Sequence, residues 1–156
     1  MSKERVIEYF INNKLEDRLY VFDESSATVE LAAERLGCNP NRIAKTLAFL
    51  VEEKPIVIVA AGDAKIDNVK FRTKFNTKAT MIQRENVEEL IGYPVGGVCP
   101  FLVNAEVGVY LDESLKRFEY IYPACGASNN AIKLTIAELE EHSKYVEWVD
   151  VCKNWE

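Results

Sequence analysis

No pair of side chains in this sequence has the spacing of a nucleophile and its base. The one histidine, His142, sits in Glu140-Glu141-His142-Ser143 at the end of a helical stretch, and a surface position is expected for it. Ser25, Ser26, Ser114, Ser128 and Ser143 lie in no G-x-S-x-G elbow, and neither Cys99 nor Cys125 has a histidine nearby in sequence. A covalent mechanism is therefore disfavoured, and Cys125 stays open as a nucleophile only if a partner comes from elsewhere in the fold. What remains is chemistry by main-chain dipoles and fixed charge. In Gly96-Gly97-Val98-Cys99-Pro100 the glycines permit close approach to bare backbone, and the N–H groups of Gly97, Val98 and Cys99 can point at an anion. Hydrolysis of an ester passes through a tetrahedral oxyanion, which one good donor stabilises by about 3 to 4 kcal/mol. By itself a Gly-Gly before a strand is more often just a tight turn.

Three more segments carry candidate groups. Lys45 precedes the apolar run Thr46-Leu47-Ala48-Phe49-Leu50, where an ammonium can reach a phosphate or carbonyl oxygen, or simply snorkel from a strand end. Ala124-Cys125-Gly126-Ala127-Ser128-Asn129-Asn130 is a loop of small residues that leaves room for a substrate group or is an ordinary connection. Lys65, Lys70, Arg72, Lys74 and Lys78 form a basic stretch broken only by Asp63 and Asp67. It is the best candidate for touching a phosphate backbone, with Lys65, Lys70 and Arg72 foremost; the alternative is a solvated helix face.

The elements that must position these groups follow from periodicity. Val6, Ile7, Phe10 and Ile11 give a first helix after a possible cap at Ser2, and Arg18 to Phe22 reads as a short strand. Thr28 caps a helix carrying Val29, Ala32, Ala33 and Leu36, which Gly37 stops. Asn39-Pro40 starts a short helix expected to carry Ile43 and Ala44 and to end near Lys45. Thr46 to Val51 and Ile56 to Ala61 read as central strands joined by the tetrapeptide Glu52-Glu53-Lys54-Pro55. Asp67 caps a helix through the basic stretch, and Glu85 to Ile91 forms another that ends at Gly92. A shaped loop over Gly92 to Pro100 is followed by strands at Val107 to Leu111, Phe118 to Tyr122, Ala131 to Leu134 and Tyr145 to Val149. Thr135 and Glu138 form a capping box for a last helix with Ile136 and Leu139. Hairpins this tight exclude an all-parallel sheet, so the class is α+β with a mixed sheet.

Composition narrows the function classes. With 156 residues, 48% of them hydrophobic, the chain can bury one substantial core as one domain. No apolar run approaches the roughly 18 residues of a membrane span, and Met1-Ser2-Lys3-Glu4-Arg5 turns charged at once, so a cytoplasmic protein without membrane contact is expected. Cys38, Cys99, Cys125 and Cys152 have no C-x-x-C spacing and read as reduced thiols, with no metal and no cofactor expected. A net charge of −6 argues against indiscriminate coating of nucleic acid while leaving a local contact open.

In their order, these segments resemble the YbaK and prolyl-tRNA-synthetase-associated editing domains over almost the whole chain. Ser26-Ala27 leading into Ala32-Ala33-Glu34-Arg35-Leu36-Gly37, then Ile43-Ala44-Lys45-Thr46-Leu47, is similar to the N-terminal signature with its pocket lysine. Gly96 to Pro100 resembles the family's G-x-x-x-P loop, and Gly126 to Leu139 its closing glycine loop, strand and helix. The resemblance implies one editing domain over residues 1–156, compact and α+β, with a curved mixed sheet and surrounding helices. It implies hydrolysis of mischarged aminoacyl-tRNA, with Lys45, Gly96 and Gly97 catalytic. Thr46, Val98, Cys99, Pro100, Gly126, Ala127 and Ser128 would bind the substrate. Lys45 would engage the terminal phosphate or ribose of the acceptor end and the loop amides the ester carbonyl. Water oriented by the ribose hydroxyl, or a cysteinyl substrate's own thiol, would attack.

Such an enzyme acts as a second sieve, because binding discriminates a missing methylene by only about 1 to 3 kcal/mol. Relatives that remove alanine from proline tRNA carry Asn after the pocket lysine and His in the closing loop. Here Thr46 and a His-free Gly126 to Asn130 stand there, which leaves cysteine, serine, threonine or another small residue as plausible as alanine. A non-catalytic module that binds aminoacyl-tRNA or a nucleotide is the alternative, and a synthetase is a possible partner of either.

Overall fold

The computed structural model describes residues 2–155 and the side chains of residues 3–155, so the cap expected at Ser2 lies outside the described residues. Helix α1 (Ser2–Asn12) buries Val6 and Phe10 completely, the two positions that share one face at i and i+4. Strand β1 (Leu19–Val21) follows a short 3-10 turn. Helix α2 (Val29–Leu36) starts where Thr28 Oγ1 accepts the Leu31 N–H and ends on Gly37 at φ 68°. The helix expected from Asn39 to Lys45 is only a 3-10 turn, Pro40–Arg42; Ile43, Ala44 and Lys45 belong to strand β2 (Ile43–Val51). Packing overrides the local start signal here, because Ile43 pairs with Tyr122 and buries its side chain against Ala32 and Ala33.

Strand β3 (Lys54–Ala61) returns antiparallel to β2 through a turn of two residues rather than four. Glu52 and Glu53 both take left-handed conformations, φ 52° and 69°, as a twisted two-residue hairpin requires. Strand β4 (Lys65–Ile66) leads to helix α3 (Asn68–Phe75), where Asp67 accepts the N–H groups of Val69 and Lys70. Helix α4 (Arg84–Ile91) ends at Gly92 as expected.

Strands β5 (Gly108–Asp112) and β6 (Tyr120–Pro123) fall within a residue or two of expectation. The run expected over Ala131 to Leu134 splits into β7 (Asn130–Ile132) and β8 (Leu134–Thr135), because the chain changes partner at Lys133: β7 pairs with β1 and β8 with β6. Helix α5 (Ile136–Ser143) carries both hydrogen bonds of the Thr135–Glu138 capping box, and β9 (Glu147–Val149) and β10 (Cys152–Lys153) close the chain.

The main sheet runs β8-β6-β2-β3-β5-β9 and is mixed: β2 is antiparallel to β3 and parallel to β6, and β5 is parallel to β3 and β9. Alternation along β2 and β3 sends Ala44, Ala48, Val57, Val59 and Ala61 to a core shared with Phe10, Ile91, Phe101 and Leu139. Phe49, Ile56, Ile58 and Ala60 face a second core under Phe71 of α3. The architecture is the α+β fold with a curved mixed sheet that the sequence implies.

The β2–β3 turn is the place where composition and backbone conflict, since glutamate has a Cβ that disfavours positive φ twice in succession. Replacing Glu52-Glu53 by Asn-Gly is expected to raise stability by about 1 kcal/mol. A rise in the urea midpoint with unchanged slope measures it.

Candidate active site

A hollow of about 370 Å³ opens along the outer edge of β2. β6 pairs with β2 only at Ile43 and Ala44, and the next cover is the Thr80–Ile82 segment, where Ile82 N–H donates to Ala48 O at 3.1 Å and Leu50 N–H to Thr80 O at 2.9 Å. Between these neighbours the edge at Lys45, Thr46 and Leu47 is uncovered. Main-chain groups alternate along a strand, so the N–H and C=O of Thr46 point the same way as those of Ala44 and Ala48, away from β3 and into the hollow. Thr46 Oγ1 is buried beside them without a hydrogen-bond partner among the described residues.

Lys45 lines the same hollow. Its ammonium donates to Ala64 O and, at 3.4 Å, to Gly62 O. An ammonium has three donors, so two are fixed by the turn after β3 and one has no acceptor among the described residues. Burial pulls the Lys45 pKa below its ordinary value of 10.5, opposed in part by the carboxylates of Asp63 and Glu30 and assisted by Lys65. Gly62 has no room for a side chain: a Cβ there would lie 2.0 Å from Pro40 O and 2.8 Å from Val29 Cγ1. That contact presses the carbonyl-bearing turn against the Pro40–Arg42 turn and α2.

The wall opposite β2 comes from Val95, Gly96 and Val98. Gly96 at φ 92° passes between Ala27 and Ser128, whose Cβ atoms lie 3.3 Å from where its own would stand. Of the three amides expected to face an anion, that of Gly97 is taken, donating to Pro94 O at 3.0 Å. Glycine is needed at 97 because the loop lies directly on the other glycine loop; a Cβ would be 2.7 Å from Ala127 N. The N–H groups of Val98 and Cys99 have no acceptor among the described residues.

The structure thus brings Lys45, Thr46, Gly96 and Val98 to one hollow, and places the other expected pocket residues behind its walls. Cys99 and Pro100 are buried beneath the loop, the Cys99 thiol pushed up to about 12 by burial. Gly126, Ala127 and Ser128 line a neighbouring hollow with Glu4, Asp23, Glu24 and Glu88, across a partition fixed by Ser26 N–H donating to Ser128 O at 2.7 Å. The start and end of that loop, Ala124 and Asn130, do reach the first hollow. Asn130 holds the loop's shape, accepting from Cys125 N–H at 3.0 Å and Ala127 N–H at 3.3 Å while donating to Cys125 O at 2.9 Å.

Cys125 is fully buried with its pKa raised by desolvation, and no histidine approaches it. The expectation of a surface His142 is overturned: it is 6% exposed, with Nδ1 2.8 Å from the Tyr9 hydroxyl and Phe10 against its ring. It packs inward because Leu139, His142 and Ser143 stand at i, i+3 and i+4 on the buried face of α5. In the basic stretch, Lys70 bonds to Asp150 and to Cys152 O, each at 3.0 Å, and Lys74 pairs with Glu147 at 2.6 Å. Lys65 and Arg72 are exposed without an ion pair among the described residues.

Arg84, at the first turn of α4, lines the hollow and was not legible as a site residue, since nothing in Arg84-Glu85-Asn86 marks a pocket. Lys45 and Arg84 are its charged lining residues. The arrangement offers one lysine donor, free amides and an unpaired strand edge to a ligand bearing carbonyl or anionic oxygens.

Comparison with known proteins gives this geometry a context. The model of the aminoacyl-tRNA editing domain matches residues 23–142. YwhH of Bacillus subtilis, described only as an uncharacterized protein, is 50% identical, with 100% of each chain covered. EbsC of Enterococcus faecalis, described as a candidate Cys-tRNA(Pro)/Cys-tRNA(Cys) deacylase, is 28% identical over 74% of this chain and 71% of its own. The fold superposes with a TM-score of 0.85 on a solved structure described as a candidate trans-editing enzyme for prolyl-tRNA synthetase, at 24% identity and 97% coverage of both chains. No helix among the described residues is long and apolar enough to cross a membrane. With its hollow inside the matched span, the chain belongs to the aminoacyl-tRNA editing domain family, that of YbaK and the prolyl-tRNA-synthetase-associated domains.

Proposed function

We propose that this chain, as one unit over residues 1–156, works in the cytoplasm as a hydrolase that removes small amino acids from mischarged tRNA. The feature that supports the reading is one hollow lined by Lys45, by Val98 with its amide unpaired among the described residues, and by the open Thr46 edge. The ester carbonyl would sit against Val98 N–H, with the remaining Lys45 donor on the carbonyl or on the ribose–phosphate beside it. Charge that develops on the oxygen would then meet donors already in place, which is where such sites gain most of their rate. Ala27, Ala32, Ala44, Ala48 and Ala131 around the hollow favour a small side chain. Cysteine, alanine, serine and threonine are the substrates this supports, on proline tRNA or another.

No carboxylate or imidazole lines the hollow, which favours water oriented by the substrate's ribose hydroxyl, or the thiol of a cysteinyl ester in its place. The same observation supports a second reading, a module that binds aminoacyl-tRNA, alone or beside a synthetase, without turnover.

Incubation with cysteinyl-, alanyl-, seryl- and threonyl-tRNA separates the two. Release above background from at least one is expected; no release from any by folded protein, with binding retained, leaves the second reading. Lys45→Ala is expected to lower kcat/KM by about 100-fold, the loss of one charged donor to the developing oxyanion.

The pH dependence has a defined sign. Because the Lys45 pKa lies below 10.5, activity that needs the cation falls as pH rises through that lowered value, after correction for uncatalysed hydrolysis. Between that value and 10.5 the unfolded chain binds more protons at this site, so the Lys45 contribution to stability rises with pH while activity falls. A carbon-13 titration of the lysine methylenes locates the midpoint, and Lys45→Arg should remove the alkaline limb from the rate profile.

A further inference from the structure

Tyr20, Phe22, Tyr120 and Tyr122 gather beside the hollow. Tyr120 and Tyr122 alternate with the fully buried Ile121, so their rings stand on the face of β6 turned away from that core. Tyr20 on β1 meets Tyr122 edge to face at 6.2 Å, and Phe22 lies nearly parallel to Tyr20, 11° between planes and 6.4 Å between centroids. Phe22 is anchored by its N–H to Asn129 O at 2.8 Å and by Asn129 Nδ2 to its carbonyl at 3.1 Å. Tyr20 is exposed, the other three are half-buried, and Tyr122 itself lines the hollow.

Cations interleave with these rings. Lys133 Nζ stands 4.3 Å from the centre of Tyr120, with the Arg18 guanidinium at 5.9 Å from the same ring; Arg42 lies 5.4 Å from Phe118, two residues before Tyr120. Arg18 is neutralised by both oxygens of Glu138, at 2.9 and 3.3 Å. Lys133 and Arg42 have no carboxylate partner among the described residues, unlike Lys70 and Lys74 of α3. One exposed ring among half-buried ones, with cations beside them that lack a carboxylate partner, is an arrangement suited to unpaired nucleobases, since every base can stack and every nucleotide brings a phosphate.

We propose that Tyr20, Phe22, Tyr120 and Tyr122, with Lys133 and Arg42, form a stacking platform for the unpaired bases at the 3′ end of an RNA, delivering its terminal ester past Tyr122 into the hollow. This rests on the aminoacyl-tRNA reading for what the hollow does with the ester. It adds which surface holds the bases, and that surface lies on β1 and β6 rather than on the basic helix α3.

The test uses an uncharged RNA hairpin with a single-stranded CCA end and 2-aminopurine as its last base, so binding is read without any hydrolysis. Quenching of the 2-aminopurine on binding is expected, with affinity about tenfold weaker in Tyr20→Ala and retained in Tyr20→Phe. An abasic terminal nucleotide should weaken the wild-type protein by the same factor and weaken Tyr20→Ala no further. Should Tyr20→Ala prove unfolded by circular dichroism, Lys133→Ala serves instead, with a shallower salt dependence of binding expected. Wild-type protein that does not bind the hairpin, or variants that bind it as wild type does, would overturn the platform. Failure of deacylation alone would sink the hydrolase reading and leave the quenching result to stand by itself.

Discussion

The molecule depends on a gap in one strand's hydrogen bonding. β2 has a full partner in β3, but on its outer side β6 covers only Ile43 and Ala44 before the next segment arrives at Ala48. The gap opens where β6 ends at Pro123 and the chain leaves the sheet for the loop that Asn130 clamps. An open strand edge invites pairing with another chain, yet this one lies at the floor of a hollow under α2 and the Gly96 loop, where no second strand fits. The unpaired groups are therefore left facing a hollow of about 370 Å³. A buried polar group left without a partner costs about 1 to 3 kcal/mol, so Thr46 Oγ1 and the neighbouring main chain gain more from an occupant than exposed groups would.

Lys45 is placed by the same edge and held by a network that reaches far along the chain. The carbonyls that receive its ammonium belong to a turn pinned at several points. Ala61 N–H donates to the buried Ser114 Oγ at 3.1 Å, and Ser114 N–H and Val151 N–H both donate to the fully buried Asp112. Arg117 holds Asp63 in the turn itself, with contacts of 2.6 and 3.0 Å. A half-buried lysine in a flexible loop would turn to solvent, because hydration of an ammonium outweighs one or two carbonyl contacts. Here the turn is pinned, so the cation stays on the Ala64 and Gly62 carbonyls beside the hollow at reduced hydration, where any further polar contact is strengthened.

The parts of the fold written in local chemistry were legible. Thr28 with Gly37, Asp67, and Thr135 with Glu138 mark helix ends because capping is a contact between near neighbours. Asn39-Pro40 misled because it announces a helix that Ile43, needed between α2 and Tyr122, converts to strand at once. Of the residues that line the hollow, Lys45, Gly96 and Val98 could be singled out in the sequence by type and neighbourhood. Gly97 could not be assigned correctly, since a glycine pair shows that space is needed without showing who fills it, and Ala127 does. His142 was obscured by its acidic neighbours, although its spacing from Leu139 held the signal. The aromatic cluster was beyond reach of the sequence, because Tyr20 and Tyr122 meet only through the register of β1 on β7 and of β6 beside β2.

Charge gives the site its direction. The chain as a whole is acidic at −6, yet the charged residues of the hollow are Lys45 and Arg84, and the cations along the aromatic cluster lead toward it. Acids predominate on the far side of the Ser26–Ser128 partition, where Glu4, Asp23, Glu24 and Glu88 stand with Lys3. At physiological ionic strength fields fade over about 8 Å, so this division acts locally and not as a pull from afar. A polyanion is therefore disfavoured at the side with four carboxylates and favoured at the hollow, whose charged lining residues are Lys45 and Arg84. A net charge of −6 and a locally basic hollow are then compatible, because the four carboxylates lie across the partition from Lys45 and Arg84.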